Sequence, residues 1–247
     1  MALKRLHIDN KLKRGIEVQL DEEQARYLGR VLRLRVGDSL NAFNGEDGEF
    51  EASIVSIAKS AATLALGEHC DRNTESPLKV HLVQAISRGE RMDLVVQKAT
   101  ELGVKRLSPV LTEYGVVKLD ADRAEKRREH WQKIATSACE QCGRIRPPLI
   151  DTPVPLKAWF GDQPKDADID LVLRPGARTA LTSLGAPRTK VCLLIGPEGG
   201  LSPVEYEDAA VAGFMDVSLG PRILRTETAA IAAIAVMQSL WGDLRLD

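Results

Sequence analysis

The stretch Val191-Cys-Leu-Leu-Ile-Gly-Pro-Glu-Gly-Gly-Leu-Ser-Pro-Val-Glu205 has the residue types and spacing of a ligand loop. Residues 191–195 form an apolar run of strand length. Gly196, Gly199 and Gly200 follow at once, where the lack of a side chain lets backbone approach a ligand closely. Ser202, Pro203 and Glu205 then stand at N-cap, N1 and N3 of a helix start, a capping box with proline where no hydrogen bond is lost. The glycine spacing is Gly-x-x-Gly-Gly. It matches neither the dinucleotide fingerprint Gly-x-Gly-x-x-Gly nor the phosphate loop Gly-x-x-x-x-Gly-Lys-Ser/Thr, so a phosphate cradle is not supported. Taken alone, such a turn serves equally well as a tight structural connection.

Two other loops share the pattern. The β-runs at 169–173 and 214–219 give way to Arg174-Pro-Gly176 and to Gly220-Pro-Arg-Ile-Leu-Arg225. Three loops of this kind at successive strand ends can converge on one ligand at the carboxyl edge of a parallel sheet. The last leads into Thr226-Glu-Thr-Ala-Ala-Ile-Ala-Ala-Ile-Ala-Val-Met237, an alanine-dominated helix able to pack closely, with Thr226 its expected N-cap.

Arg26, Arg30, Arg33 and Arg35 crowd into one short segment with Tyr27 among them. Arginine suits bidentate phosphate contact and base stacking, so this is the RNA-facing candidate of the first part of the chain. The alternative is a solvated junction whose arginines pair with Asp21, Glu22 and Glu23. Cys139-Glu-Gln-Cys142 has C-x-x-C spacing, but no second pair and no His-x-x-x-His completes a metal site. Both thiols fall on the apolar stripe of a helix, so they read as buried packing and no metal is assigned.

Several elements must position these groups. Up to about residue 75, short alternating runs at 16–20, 39–43, 50–55 and 62–66, separated by turn signals, have the spacing of a small β-barrel or sandwich. A helix from Glu22 to about Leu32 interrupts them. The polar stretch 70–77 ends in Pro77 and reads as a linker. Beyond it, strand 80–86, helix 92–102 closed by Gly103, and a strand within 104–110 make a βαβ unit, which predicts a mainly parallel sheet. A long helix over 125–142 carries Trp131, Ile134, Ala135, Ala138 and both cysteines on one stripe. Arg144 and Arg146 follow in a segment extended by prolines.

With 44% hydrophobic residues in 247, the chain can bury a sizeable core as one large domain or two. Its 34 basic and 35 acidic residues nearly cancel, so a nucleic-acid partner would have to meet a local basic surface. No apolar run is long enough to span a membrane, and the opening Met-Ala-Leu-Lys-Arg-Leu-His lacks a signal-peptide core. The expected compartment is the cytoplasm, with no membrane partner. The four cysteines argue against a disulfide framework.

Leu194-Ile-Gly-Pro-Glu-Gly-Gly-Leu-Ser202 and Leu219-Gly-Pro-Arg-Ile-Leu-Arg-Thr-Glu-Thr-Ala229 resemble, in order and separation, the two signature segments of the SPOUT methyltransferases. Gln84-Ala-Ile-Ser-Arg-Gly-Glu-Arg-Met-Asp-Leu-Val-Val-Gln-Lys-Ala-Thr-Glu-Leu-Gly-Val104, with Glu140-Gln-Cys-Gly-Arg144, is similar to segments typical of the bacterial 16S ribosomal RNA uridine-N3 methyltransferases within that superfamily. The resemblance spans nearly the whole chain. It implies an α/β fold in two domains: a small PUA-like β-barrel for RNA binding over 1–75, and a SPOUT methyltransferase domain with a deep trefoil knot over 76–247. It also implies S-adenosylmethionine as cofactor, a homodimer with the pocket near the subunit interface, and 16S rRNA of the small ribosomal subunit as substrate, with m3U1498 the expected product.

On this resemblance the adenosine and methionine contacts fall to Leu173, Ile195, Gly196, Leu219, Gly220, Ile223 and Leu224, with Pro197, Glu198 and Gly199 shaping the loop. Methylation at uracil N3 requires loss of the imide proton, so the site needs a base or cations that stabilise the developing charge. Arg88, Arg144 and Arg225 are candidates for holding uracil oxygens or phosphate, and Glu140 or Glu227 for accepting the proton. Arg26, Arg30, Arg33 and Arg35 become RNA-binding candidates. The competing readings are another SPOUT activity such as ribose 2′-O-methylation, because the cofactor loops do not define the acceptor atom, and a non-catalytic RNA-binding assembly protein. A nucleotide-binding dehydrogenase is weakened by the missing fingerprint.

Overall fold

The structure, a computed structural model, describes residues 4–185 and 189–244. Residues 1–3 of the opening stretch considered above lie outside them. The chain divides into two compact units: residues up to Glu75 together with Cys139–Pro147, and Ser76–Ala138 together with the residues from Pro148 onward.

The first unit holds β1 (Arg5–His7), β2 (Glu17–Leu20), a one-turn helix α1 (Glu22–Arg26), β3 (Ser39–Phe43), β4 (Glu49–Ile57) and β5 (Ala62–Cys70). Its sheet runs β1-β3-β4-β5-β2. Alternation puts Ala52 and Ile54 of β4 and Ala62, Leu64 and Leu66 of β5 into a core with Leu28 and Leu40. Register shifts between Phe50 and Ala52 and between Ile54 and Ser56 coil the long hairpin. Where the pattern predicts a barrel or sandwich, hydrogen bonding among the described residues gives one five-stranded sheet with β1 and β2 at its ends. The helix expected to reach Leu32 gives way after Arg26 to a π turn over Tyr27–Val31, and Arg33 then takes a positive φ of 56°. Gly29 within this turn, a poor helix former, fits that break.

Segment 139–147, which falls within the second domain that the resemblance implies, groups with the first unit, where Arg5 holds it. The buried guanidinium forks onto Glu49 at 3.0 and 2.8 Å and donates to the carbonyls of Cys139 at 2.5 Å and Arg144 at 3.0 Å. It lies over the Phe43 ring, 4.2 Å from the centroid. β1 and this role of Arg5 had no sequence signal beyond three residues of alternation.

The second unit contains β6 (Lys79–Ala85), α2 (Arg91–Glu101), β7 (Arg106–Leu111), α3 (Ala121–Cys142, its last turn grouped with the first unit), β8 (Leu149–Ile150) and β9 (Val154–Pro155). Then come α4 (Leu156–Asp162), β10 (Ile169–Leu173), β11 (Lys190–Ile195), α5 (Pro203–Val211), β12 (Met215–Val217) and α6 (Thr226–Trp241). The sheet order is β12-β10-β11-β6-β7-β8, with β9 also on β7, and every pair is parallel. Parallel strands buried on both faces read as continuous apolar runs, which is why 80–86 and 191–195 were legible.

Period-2 alternation splits those runs between two cores. Val80, Leu82, Val191, Leu193 and Ile195 meet Val95 and Ala99 of α2, Trp131 of α3 and Ala233 and Ile234 of α6. Val83, Ala85, Cys192 and Leu194 meet Leu156 and Trp159 of α4 and Ala209 of α5 on the other face. Each fully buried aliphatic side chain contributes about 1.5–3 kcal/mol, which fixes register because a one-residue slip would exchange the faces. No described helix is long and apolar enough to cross a membrane.

The site at the carboxyl edge of the parallel sheet

Chain order reverses at the β11–β6 pair: β7 and β8 lie to one side of β6, β11 and β10 to the other. The crevice outside the strand ends at such a reversal is where open parallel sheets bind ligands. A cavity of about 280 Å³ opens there. All ten residues expected to hold the cofactor line it: Leu173, Ile195, Gly196, Pro197, Glu198, Gly199, Leu219, Gly220, Ile223 and Leu224.

The loop after β11 folds back closely on glycine at its first position. A Cβ on Gly196 would stand 3.1 Å from both the backbone nitrogen and Cγ of Leu201, and one on Gly199 would stand 3.2 Å from Cβ of Tyr114. The amide of Gly200 closes the turn onto the Pro197 carbonyl at 2.9 Å. The capping box forms as the spacing dictates: the Glu205 amide donates to Ser202 Oγ at 3.2 Å, and the Ser202 amide donates to Glu205 Oε2 at 2.8 Å. Glu205 Oε1 also accepts the amide of Glu113 at 2.8 Å, tying the loop after β7 to the start of α5.

Thr226 is not the N-cap of α6. Arg225 holds that position, and its carbonyl accepts the Ala229 amide at 2.8 Å. The Thr226 hydroxyl instead donates to the Gly196 carbonyl at 2.8 Å and accepts from Gln84 Nε2 at 2.9 Å. One buried hydroxyl thus joins the first and third loops to the end of β6, an arrangement that local capping rules cannot anticipate. Arg91 reaches from α2 to Glu198 at 2.6 Å as a further, more exposed tie.

Arg174, Pro175, Gly200 and Arg222 of the three loops also line the cavity, and so do Tyr206, Thr226 and Ala229, which sequence reasoning had not placed there. Tyr206 lies on α5 beneath the Arg174 guanidinium, 4.4 Å from ring centroid to Cζ, and Arg174 is held by Asp216 at 2.7 Å. Burial raises the Tyr206 phenol above its ordinary range, with Arg174 opposing, so it stays protonated. Tyr206 falls four residues after the Ser202 N-cap, so the capping box predicts its helix; only the packing shows which way the ring points.

The catalytic candidates fall in both units. Arg88 is exposed in the loop after β6, and Arg225 is exposed at the head of α6. Glu227, in the first turn of α6, has one carboxylate oxygen buried without a hydrogen-bond partner. Glu140 and Arg144 belong to the first unit and have partners there. The Glu140 oxygens accept from the His7 amide and the Tyr27 hydroxyl, each at 3.0 Å, and burial raises its pKa despite both bonds. Arg144, 3% exposed, pairs with Glu75 at 2.9 Å.

Among the RNA candidates, Arg26 pairs with Glu22 at 2.9 Å, while Asp21 is occupied in capping α1. Arg30, Arg33 and Arg35 form no ion pair among the described residues, so the solvated-junction alternative accounts for Arg26 alone. Arg26 and Arg30 line a groove of about 410 Å³ together with Lys59, which the sequence pattern had not drawn in. No cluster of three or more His, Cys, Asp or Glu that could hold a metal occurs among the described residues. Cys139 is buried, and its thiol is pushed up first by the neighbouring Cys142 and then by burial.

A unit with a parallel sheet and a three-loop cavity at its carboxyl edge, and a second unit with a small coiled β-sheet, define a two-unit α/β protein of the RNA methyltransferase class: the RNA methyltransferase domain model matches residues 74–238 and the RNA methyltransferase PUA domain model residues 20–66. A ribosomal RNA small subunit methyltransferase E from Buchnera aphidicola is 36% identical over 97% of this chain and 97% of its own. A methyltransferase of that name from Neisseria gonorrhoeae, bound to S-adenosylmethionine, superposes with a TM-score of 0.91 at 36% identity, covering 99% of this chain and 100% of the other. A Legionella pneumophila structure with bound S-adenosylmethionine gives a TM-score of 0.92 at 40% identity over 99% and 100%. The chain belongs to this RNA methyltransferase family, alongside the ribosomal RNA small subunit methyltransferases E.

Proposed function

We propose that this protein methylates N3 of a uridine in 16S rRNA of the small ribosomal subunit, using S-adenosylmethionine. The observation that carries the reading is the cavity built by the loops after β10, β11 and β12 in a chain that aligns end to end with relatives crystallised with that cofactor. The cavity fits the group. Leu173, Ile195, Leu219, Leu224 and Ala229 supply apolar walls for an adenine. Among the described residues the backbone groups of 219–224 have no backbone hydrogen-bond partner, so they are available to its polar edge.

Bound S-adenosylmethionine supplies an activated methyl, so the protein's task is to bind, orient and manage one proton. Arg225 and Arg88 are assigned to the uracil oxygens or an adjacent phosphate, stabilising the negative charge that develops as N3 loses its proton. Glu227 is assigned as proton acceptor in preference to Glu140, because Glu227 has a carboxylate oxygen without a partner while both Glu140 oxygens are engaged. Arg144 is assigned to holding 139–147 in place. Arg30, Arg33 and Arg35, with Arg26 and Lys59 at the groove, are assigned to RNA backbone.

The knot and the homodimer belong to the same reading. Support for the first is the resemblance of residues 194–202 and 219–229 to the SPOUT signature segments. Support for the second is exposed apolar surface on this unit, with Ile223 at the cavity 85% exposed and Val211 at the end of α5 90% exposed.

The test is to incubate unmodified small ribosomal subunits with protein and S-adenosylmethionine and digest the rRNA to nucleosides for mass spectrometry. 3-Methyluridine is expected, mapping to position 1498. A ribose-methylated nucleoside would move the activity to the 2′-oxygen, and no methylation with intact RNA binding would favour an assembly role. Single-turnover rates for Arg225→Ala at saturating cofactor and RNA test the catalytic assignment: an unchanged rate removes Arg225.

A further inference from the structure

A second cavity, of about 110 Å³, sits beside the loop that joins β6 to α2 and shares no residue with the three-loop cavity. Ile86, Met92, Val117, Leu119 and Trp131 form its apolar floor, and Ser87, Arg88, Gly89 and Arg127 its polar part. Ser87 is only 4% exposed, yet its hydroxyl has no hydrogen-bond partner. A buried hydroxyl left unpaired costs about 1–3 kcal/mol, so its retention needs a reason. Neither Arg88 nor Arg127 has an ion-pair or side-chain hydrogen-bond partner among the described residues. The amides of Ser87, Arg88 and Gly89 likewise donate to no backbone carbonyl there.

The lining contains donors and no carboxylate or side-chain amide, which decides the ligand class. For a uracil N3–H the side-chain acceptor in the lining is the Ser87 hydroxyl, which would leave both guanidiniums to two carbonyl oxygens; a phosphodiester is acceptor-only and takes hydroxyl, amide and guanidinium donors together. The apolar floor excludes water from one side and strengthens the attraction. The Trp131 indole nitrogen is already committed to Asp93 at 3.0 Å, so the ring serves as floor and not as a donor.

We propose that Ser87, Arg88 and Arg127 form a seat for one backbone phosphate of the RNA substrate, on the sheet edge that carries the three-loop cavity; this rests on the RNA methyltransferase reading above. Arg127 comes from α3 and Ser87 from the β6 loop, so the seat would register the RNA against the end of β6. It would leave the three-loop cavity unchanged.

The experiment uses the full chain, unmodified small ribosomal subunits and filter binding over a salt series, with calorimetric titration of S-adenosylmethionine in parallel. Arg127→Ala is expected to weaken subunit binding about 5- to 10-fold and to reduce the slope of log affinity against log salt by about one, the signature of one lost phosphate contact. Ser87→Ala is expected to weaken binding by about 3-fold or more. Both should bind S-adenosylmethionine as wild type does. Wild-type subunit affinity and slope in Arg127→Ala would overturn the seat, as would weaker binding with an unchanged slope. Failure of wild-type protein to bind subunits at all would instead overturn the RNA reading on which the seat depends. Arg127 is exposed, so its variant folds even if the buried Ser87 variant does not.

Discussion

Replacing Thr226 by valine asks whether one hydroxyl keeps the three-loop cavity in shape. The substitution preserves the β-branched outline and so opens no void, while removing the donor to Gly196 O at 2.8 Å and the acceptor for Gln84 Nε2 at 2.9 Å. Each hydrogen bond contributes about 1 kcal/mol net, and a buried group stripped of its partner costs about 1–3 kcal/mol. Gln84 Nε2 keeps the Ala85 carbonyl as acceptor, and Gly196 is only partly buried, which selects the low end: a loss of about 2 kcal/mol in global stability. Urea denaturation measures that loss. Only the freed Gly196 carbonyl reaches the ligand, about 1.4 kcal/mol, because the binding-competent loop becomes a minority population; S-adenosylmethionine should bind roughly tenfold more weakly by calorimetry. Thr226→Ser keeps the hydroxyl and should stay within about twofold of wild type. Wild-type cofactor affinity in Thr226→Val, with the stability loss present, would refute the claim that this hydroxyl shapes the site.

Other perturbations test the remaining links. Gly196→Val drives a branched side chain into Leu201, whose backbone nitrogen already lies 3.1 Å from the position of a Cβ, so cofactor binding should be lost with circular dichroism unchanged; retained affinity would sink the assignment of this loop. Arg5→Met leaves the buried Glu49 carboxylate only Asn41 at 2.6 Å and Arg72 at 4.0 Å and frees two carbonyls, at an expected cost of about 3 kcal/mol in chemical denaturation; a loss under about 1 kcal/mol would mean that other contacts hold 139–147. His81 has its pKa lowered from 6.5 to about 4, first by burial and then by Arg106. The folded state therefore binds fewer protons than the unfolded chain between those values, so stability contributed above pH 6.5 should fall by up to about 3 kcal/mol as pH drops toward 4. His81→Gln should flatten that dependence in urea titrations at pH 7.5 and 5; an unaltered pH profile would assign the acid sensitivity elsewhere.

How far the chain could be read depended on how local each signal was. The run at 191–195 and the Ser202 to Glu205 capping box rest on contacts within a few residues, and both formed where the spacing put them. Short pieces such as β1, β8 and β9 had too few residues to show a period, and α4 follows Pro155 without a capping side chain. The helix begun at Glu22 was overestimated because apolar residues continue past Arg26 while the backbone turns into a π geometry and then a positive φ at Arg33.

By itself the sequence determined which backbone was glycine-permissive, which runs had to be buried on both faces of a sheet, and which long segments align with a methyltransferase family. Those are properties of local sterics, alternation and residue identity. Tertiary structure alone decided that Thr226 would bond Gly196 and Gln84 in preference to capping its own helix, that Tyr206 would wall the cavity, and that Glu140 and Arg144 would be engaged in the first unit. It also left Ser87 buried and unpartnered beside two unpaired arginines. A hydroxyl or a guanidinium can satisfy many partners, and which one it meets depends on residues far along the chain that only the fold brings within 3 Å.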